Sequence, residues 1–149
     1  MQCAIRTDII LVKEKREMKS SEIIIEKLKE AGGDVTIELL SKKEARVKLV
    51  EKNSFTSDKL GWNCLDFTIF DIVTNFLKEQ KDRRAPKGGS RNSRVGEGKC
   101  NKGTVMYEIA TKYYGKVDGN SSFDPLFVIA AILDWANIAR NCRGYLELL

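Results

Sequence analysis

Histidine is absent from this 149-residue chain. Its absence removes Ser-His-Asp and Cys-His catalytic arrangements, and with them every histidine-ligated metal site. Long apolar runs are missing as well. The longest, LFVIAAIL from Leu126 to Leu133, has eight residues bracketed by Asp124 and Asp134. A membrane span needs about 20. The N-terminal stretch MQCAIRTDIILVKEKREMK offers only Ile9 to Val12, too short for the apolar region of a signal peptide. A protein with no membrane association and a cytoplasmic location is expected.

Closely spaced cysteines are lacking too. Cys3, Cys64, Cys100 and Cys142 lie far apart, with no Cys-x-x-Cys pair. Structural zinc sites draw their ligands in close pairs, so no zinc or other cofactor is expected. A disulfide framework is not expected in a chain of this size without a secretory signal. Reduced thiols are the plain reading.

What is present is enough apolar material for a core. Hydrophobic residues make up 42% and charged residues 32%, a globular rather than a disordered balance. The net charge is +5, and its placement matters more than its size. Residues 78–103 carry nine positive side chains, including Arg83, Arg84, Lys87, Arg91, Arg94, Lys99 and Lys102, against three negative ones, a local net of +6. The rest of the chain therefore sums to −1. Charge confined in this way points to an anionic partner: nucleic acid, an acidic protein surface or a phosphorylated small molecule.

The pattern along the chain reads as α+β. Residues 1–17 form an N-terminal extension or an extra strand, and residues 18–149 a single domain. SSEIIIEKLKEA (20–31) has the apolar stripe Ile24, Ile25, Leu28, with Ser20 or Ser21 as cap and Gly32-Gly33 as stop. VTIELLSKKEARVKLV alternates as a β-hairpin with one wet face. From Leu65 to about Lys81, Ile69, Phe70, Val73, Phe76 and Leu77 mark a broad helical face. A basic loop spans residues 82–103, longer than the roughly 12–15 residues common for structureless connections. TVMYEIATKYYG follows as a helix. The last helix has Asp124 as N-cap, Pro125 at its first position and Phe123 stapled on Val128, and its run from Leu126 to Leu133 reads as the central buried helix. YLELL alternates as a strand. The expected arrangement is a helix-plus-hairpin N-terminal lobe and a helical C-terminal lobe, joined by the long basic loop.

The candidate sites centre on that loop. Arg83, Arg84, Lys87, Arg91, Arg94, Lys99 and Lys102 can neutralise phosphates, with the arginines able to pair two oxygens at once. Glycines and serines among them let backbone N–H groups approach phosphate. No aromatic residue lies within 83–103, so the loop offers no base stacking of its own and points to backbone recognition. The competing reading is a solvated tether.

VGEGKCNKGT departs from both nucleotide motifs. Gly103 is followed directly by Thr104, with no P-loop lysine between them, and the third glycine of the dinucleotide fingerprint is replaced by Asn101. A looser phosphate site before the helix remains. EIATKYYG resembles the first helix of a helix-turn-helix, but the apolar following helix cannot enter a groove, which leaves only a winged-helix variant using a loop or another helix.

Cys100, between Lys99 and Lys102, has no visible base and reads as an incidental exposed cysteine. Glu108, Asp118 and Asp124 could form a carboxylate-metal nuclease site, although Asp124 already serves as a cap and Asp118 belongs to a turn. Tyr107 and Tyr114 read as packing residues that could also stack bases. Arg140 and Arg143 are too few to make a patch alone. The favoured function is non-enzymatic nucleic-acid binding; the alternative is a regulator or inhibitor docking an acidic protein, and the third is the nuclease.

Overall fold

The computed structural model describes residues 18–149; the extension read over residues 1–17 lies outside them. Helix α1 spans Ser20–Glu30 and buries Ile24 and Leu28. It begins with no side-chain cap of its own, contrary to expectation. Asp71 instead reaches across from the next helix, accepting from the Ser21 N–H at 2.9 Å and the Ser21 hydroxyl at 2.7 Å. A carboxylate at a helix N-terminus satisfies unpaired donors whichever element carries it.

The hairpin is present and grows into a four-stranded antiparallel meander: β1 (Asp34–Glu38), β2 (Glu44–Val50), β3 (Ser54–Ser57) and β4 (Leu65–Asp66). Ile37 faces Ala45 and Val35 faces Val47 across the first pair. Helix α2 runs over Thr68–Lys78, starting later than the sequence pattern suggested. Leu65 is claimed by pairing with Phe55 on β3, and the Asp66 carboxylate accepts from the Thr68 N–H at 2.8 Å. Phe55, Phe67 and Phe70 meet with ring centroids 5.0–6.1 Å apart, tying meander to helix.

The second half is built on a small sheet. After α2, Asp82 and Arg83 both adopt left-handed backbone (φ 58 and 56), turning the chain into β5 (Arg84–Pro86). Helix α3 (Val105–Glu108) continues into one π turn over Ile109–Tyr113. Then come α4 (Leu126–Trp135), β6 (Ala139–Cys142) and β7 (Tyr145–Leu148). The sheet order is β5-β7-β6, all antiparallel, so the first strand of this half pairs with the last. Pro86 is tolerated because β5 is an edge strand.

Helix α4 is the expected buried helix: Leu126 and Val128 through Leu133 are all buried. It packs on both β6 and β1, so one continuous core joins the two halves. The chain is thus one domain of mixed helix and strand with two small antiparallel sheets, as the α+β reading expected. The basic segment lies wholly inside the second half, between α2 and α3. Among the described residues no helix is long and apolar enough to cross a membrane.

Candidate functional site

The basic segment is folded rather than structureless. Ala85, Ser90, Val95 and Cys100 are buried along it, at spacings that match neither a helix nor a strand. Its backbone is bound to the stretch that precedes α4. Val95 N–H donates to the Asn120 carbonyl and Gly119 N–H to the Val95 carbonyl, each at 2.9 Å. Ser90 donates its N–H to Asp124 Oδ2 and its hydroxyl to the Ser122 carbonyl, each at 2.9 Å. Asp124 Oδ1 accepts from Leu126 N–H at 3.0 Å; Pro125 holds the N-cap position of α4, so Asp124 sits one residue further out than expected and also anchors the basic segment. Two glycines permit the close approach. A Cβ on Gly88 (φ +66) would lie 2.5 Å from the Lys99 carbonyl, and one on Gly96 (φ +84) would lie 2.8 Å from the Asp118 carboxyl.

This packing shapes an open cleft of about 1060 Å³. One wall is the β1–β2 turn with Leu39 and Leu40, another is the start of α4 with Phe123 and Phe127, and Lys87, Arg91 and Arg143 supply positive charge. Lys87 is its structural pivot. Its N–H donates to the Gly144 carbonyl and its own carbonyl accepts from Met106 N–H, each at 2.9 Å. The Lys87 ammonium is half-buried and donates to Asn141 Oδ1 on β6. Burial lowers its pKa from the ordinary value, with Cys142 opposing the shift. An anion in the cleft would restore what burial removes from that ammonium.

The seven basic residues singled out from sequence do not converge. Lys87 and Arg91 line the cleft together with Arg143, whereas Arg83, Arg84, Arg94, Lys99 and Lys102 do not. Arg84 pairs with Glu147 at 3.4 Å and lies over the Tyr145 ring. Arg94 donates to the Gly119 carbonyl at 3.1 Å. Among the described residues, no side-chain hydrogen bond or ion pair holds Arg83, Arg91, Lys99 or Lys102. The sequence reading missed Phe123, Phe127 and Leu40. Phe123 is 45% exposed instead of stapled, with its ring edge-on to Tyr114, and Phe127 is 48% exposed within a run otherwise buried from Leu126 to Leu133. The only available signal was that a Phe sits in the first turn of α4, where neighbouring elements leave one flank open.

Of the remaining candidates Cys100 departs from expectation, while the carboxylates and Tyr114 are held in structural contacts. Cys100 is fully buried, not exposed, and burial raises its thiol pKa despite the flanking lysines. Glu108 pairs with Lys112 at 2.8 Å, Asp118 accepts from the Tyr107 hydroxyl at 3.1 Å, and Asp124 is bound as described. Among the described residues no three Cys, Asp or Glu side chains gather in a metal-binding group. Tyr114 is turned inward, its hydroxyl buried without a hydrogen-bond partner among the described residues. Comparison with protein-family models, with curated proteins and with solved structures finds no match to this chain.

Proposed function

We propose that the protein binds nucleic acid without catalysing a reaction, through phosphate contacts made by the basic segment. The carrying observation is that residues 78–103 hold a net +6 while the whole chain has only +5. Lysines and arginines placed on phosphates release condensed counterions, which supplies sequence-independent affinity. Because the segment is folded, its charges are presented in a fixed arrangement and little ordering entropy opposes binding.

The connectivity from α2 to β7 supports the same reading by analogy. Helix, strand, helix, helix, strand, strand, with the first strand paired to the last, is the order of a winged helix. The analogy carries no site chemistry by itself. Helix α4 holds the place of a groove-reading helix yet is buried, so contact falls to the segment before α3, the β6–β7 turn and the rim of α4. This reading also keeps the chain cytoplasmic, with Cys64, Cys100 and Cys142 as free thiols.

The test is affinity for labelled DNA and RNA across a salt series, for the wild type and for Arg91→Ala/Lys99→Ala/Lys102→Ala. These side chains hold no structural bond, so the variant should fold normally. Steep weakening with salt, and a shallower slope in the variant, are expected. No binding at low salt would overturn the proposal. An acidic protein partner is the second reading, favoured by the exposed apolar side chains Leu40, Phe123 and Phe127 beside the cations.

A further inference from the structure

We infer that the cleft takes a single-stranded nucleic acid, its bases lying on the Phe123 and Phe127 rings and its phosphates meeting Lys87, Arg91 and Arg143. The inference rests on the nucleic-acid reading above and specifies the strand and where it lies. Among the described residues six large apolar side chains are exposed, and three of them, Leu40, Phe123 and Phe127, border this one cleft. Scattered exposure needs no explanation, whereas convergence of this kind marks a contact surface.

The chemistry of the lining selects the occupant. Three cations arrive from two separate segments: Lys87 and Arg91 after β5, and Arg143 from the β6–β7 turn. The one carboxylate in the lining, Asp124, has both oxygens engaged by backbone N–H groups. The cleft is thus lined by two half-exposed aromatic rings and three cations, the combination that holds unpaired bases and their backbone together. A duplex keeps its bases stacked on one another and has no free face to offer the phenyl rings. At about 1060 Å³ the cleft reaches the upper end of small-ligand sites, which suits an extended ligand passing through.

The experiment measures the full chain binding a labelled oligodeoxythymidine of about 12 nucleotides, within the span one small module covers. A mixed-sequence duplex of equal length and a polyglutamate competitor are measured beside it. Wild type is expected to prefer the single strand, with a log–log salt slope of about −2 for three phosphates. Phe127→Leu keeps an apolar side chain but removes the flat ring, and should weaken single-strand binding about 5- to 100-fold, while Phe127→Trp should retain it. Arg143→Gln should make the salt slope shallower by about 0.7. Both positions are exposed, and circular dichroism would verify that the variants fold.

Duplex binding that equals or exceeds single-strand binding, or single-strand binding indifferent to Phe127→Leu and Arg143→Gln, would overturn this inference and leave the phosphate-contact proposal standing. Polyglutamate competing as well as the oligonucleotide would assign the cleft to an acidic protein and also overturn it. Failure of both nucleic acids to bind at low salt would overturn the underlying reading as well.

Discussion

Asp124 and Ser90 are joined across 34 residues of sequence by a 2.9 Å hydrogen bond from the Ser90 N–H to Asp124 Oδ2. The other oxygen of the same carboxylate accepts from Leu126 at the start of α4. One side chain therefore both binds the first residue of the central helix and fixes the basic segment. Asp124→Ala should cost about 1–3 kcal/mol for the buried Ser90 N–H left unpaired, and somewhat more because the Leu126 N–H also loses its acceptor. Asp124→Asn keeps one acceptor oxygen and should cost less. Urea unfolding gives both values; an Ala variant as stable as wild type would mean that the segment is held elsewhere.

Gly88 should tolerate no side chain. Its backbone is left-handed and a Cβ would lie 2.5 Å from the Lys99 carbonyl, a backbone atom that cannot swing away. Gly88→Ala is expected to destabilise by more than about 1 kcal/mol. Gly103, also left-handed but with nothing within 4 Å of its Cβ position, should show only the conformational part of that loss. Equal losses at the two positions would contradict the packing of the segment.

Tyr114 should govern part of the alkaline stability. Burial, then the neighbouring Tyr113 and Asp124, push its hydroxyl well above the ordinary value of 10.0. With the folded value raised, ionisation of this group leaves stability unchanged below pH 10.0, the unfolded value, and lowers it progressively above, where the unfolded chain loses the proton and the folded one keeps it. Tyr114→Phe removes a buried hydroxyl that has no hydrogen-bond partner among the described residues. It should be neutral or mildly stabilising at neutral pH and should flatten the loss of stability on the alkaline side. Urea midpoints measured on both sides of pH 10.0 would show this; an unchanged alkaline slope in the variant would refute it.

The thiols should differ sharply in reactivity. Cys64 is exposed, Cys100 is buried with its pKa raised, and Cys142 is intermediate. Iodoacetamide followed by peptide mapping should label Cys64 first and Cys100 only on unfolding. Early labelling of Cys100 would mean that the segment opens readily.

Much of the fold was legible where apolar residues repeat at a regular interval. The stripe Ile24–Leu28, the alternation around Ile37 and Val47, the face of α2 and the buried run of α4 all follow from period and length. The basic segment was not, because its order depends on isolated buried residues, Ala85, Val95 and Cys100, and on backbone bonds to a loop more than twenty residues later. β5 is three residues ending in proline and exists only because β7 lies beside it. The cleft was legible by half. Charge density pointed to Lys87 and Arg91, but Arg143 looked isolated until the β6–β7 turn brought it to the same rim. Phe127 was concealed by the apolar run that contains it.

The most direct measurement is ultraviolet crosslinking of the intact protein to a bromodeoxyuridine-containing single strand, with the adduct located by mass spectrometry. The adduct is expected on the peptide carrying Phe123 and Phe127, reduced when Arg91 and Arg143 are both changed to Gln. Adducts confined to the surface around Arg83 and Arg84, or to Trp62 on the far meander, would contradict it.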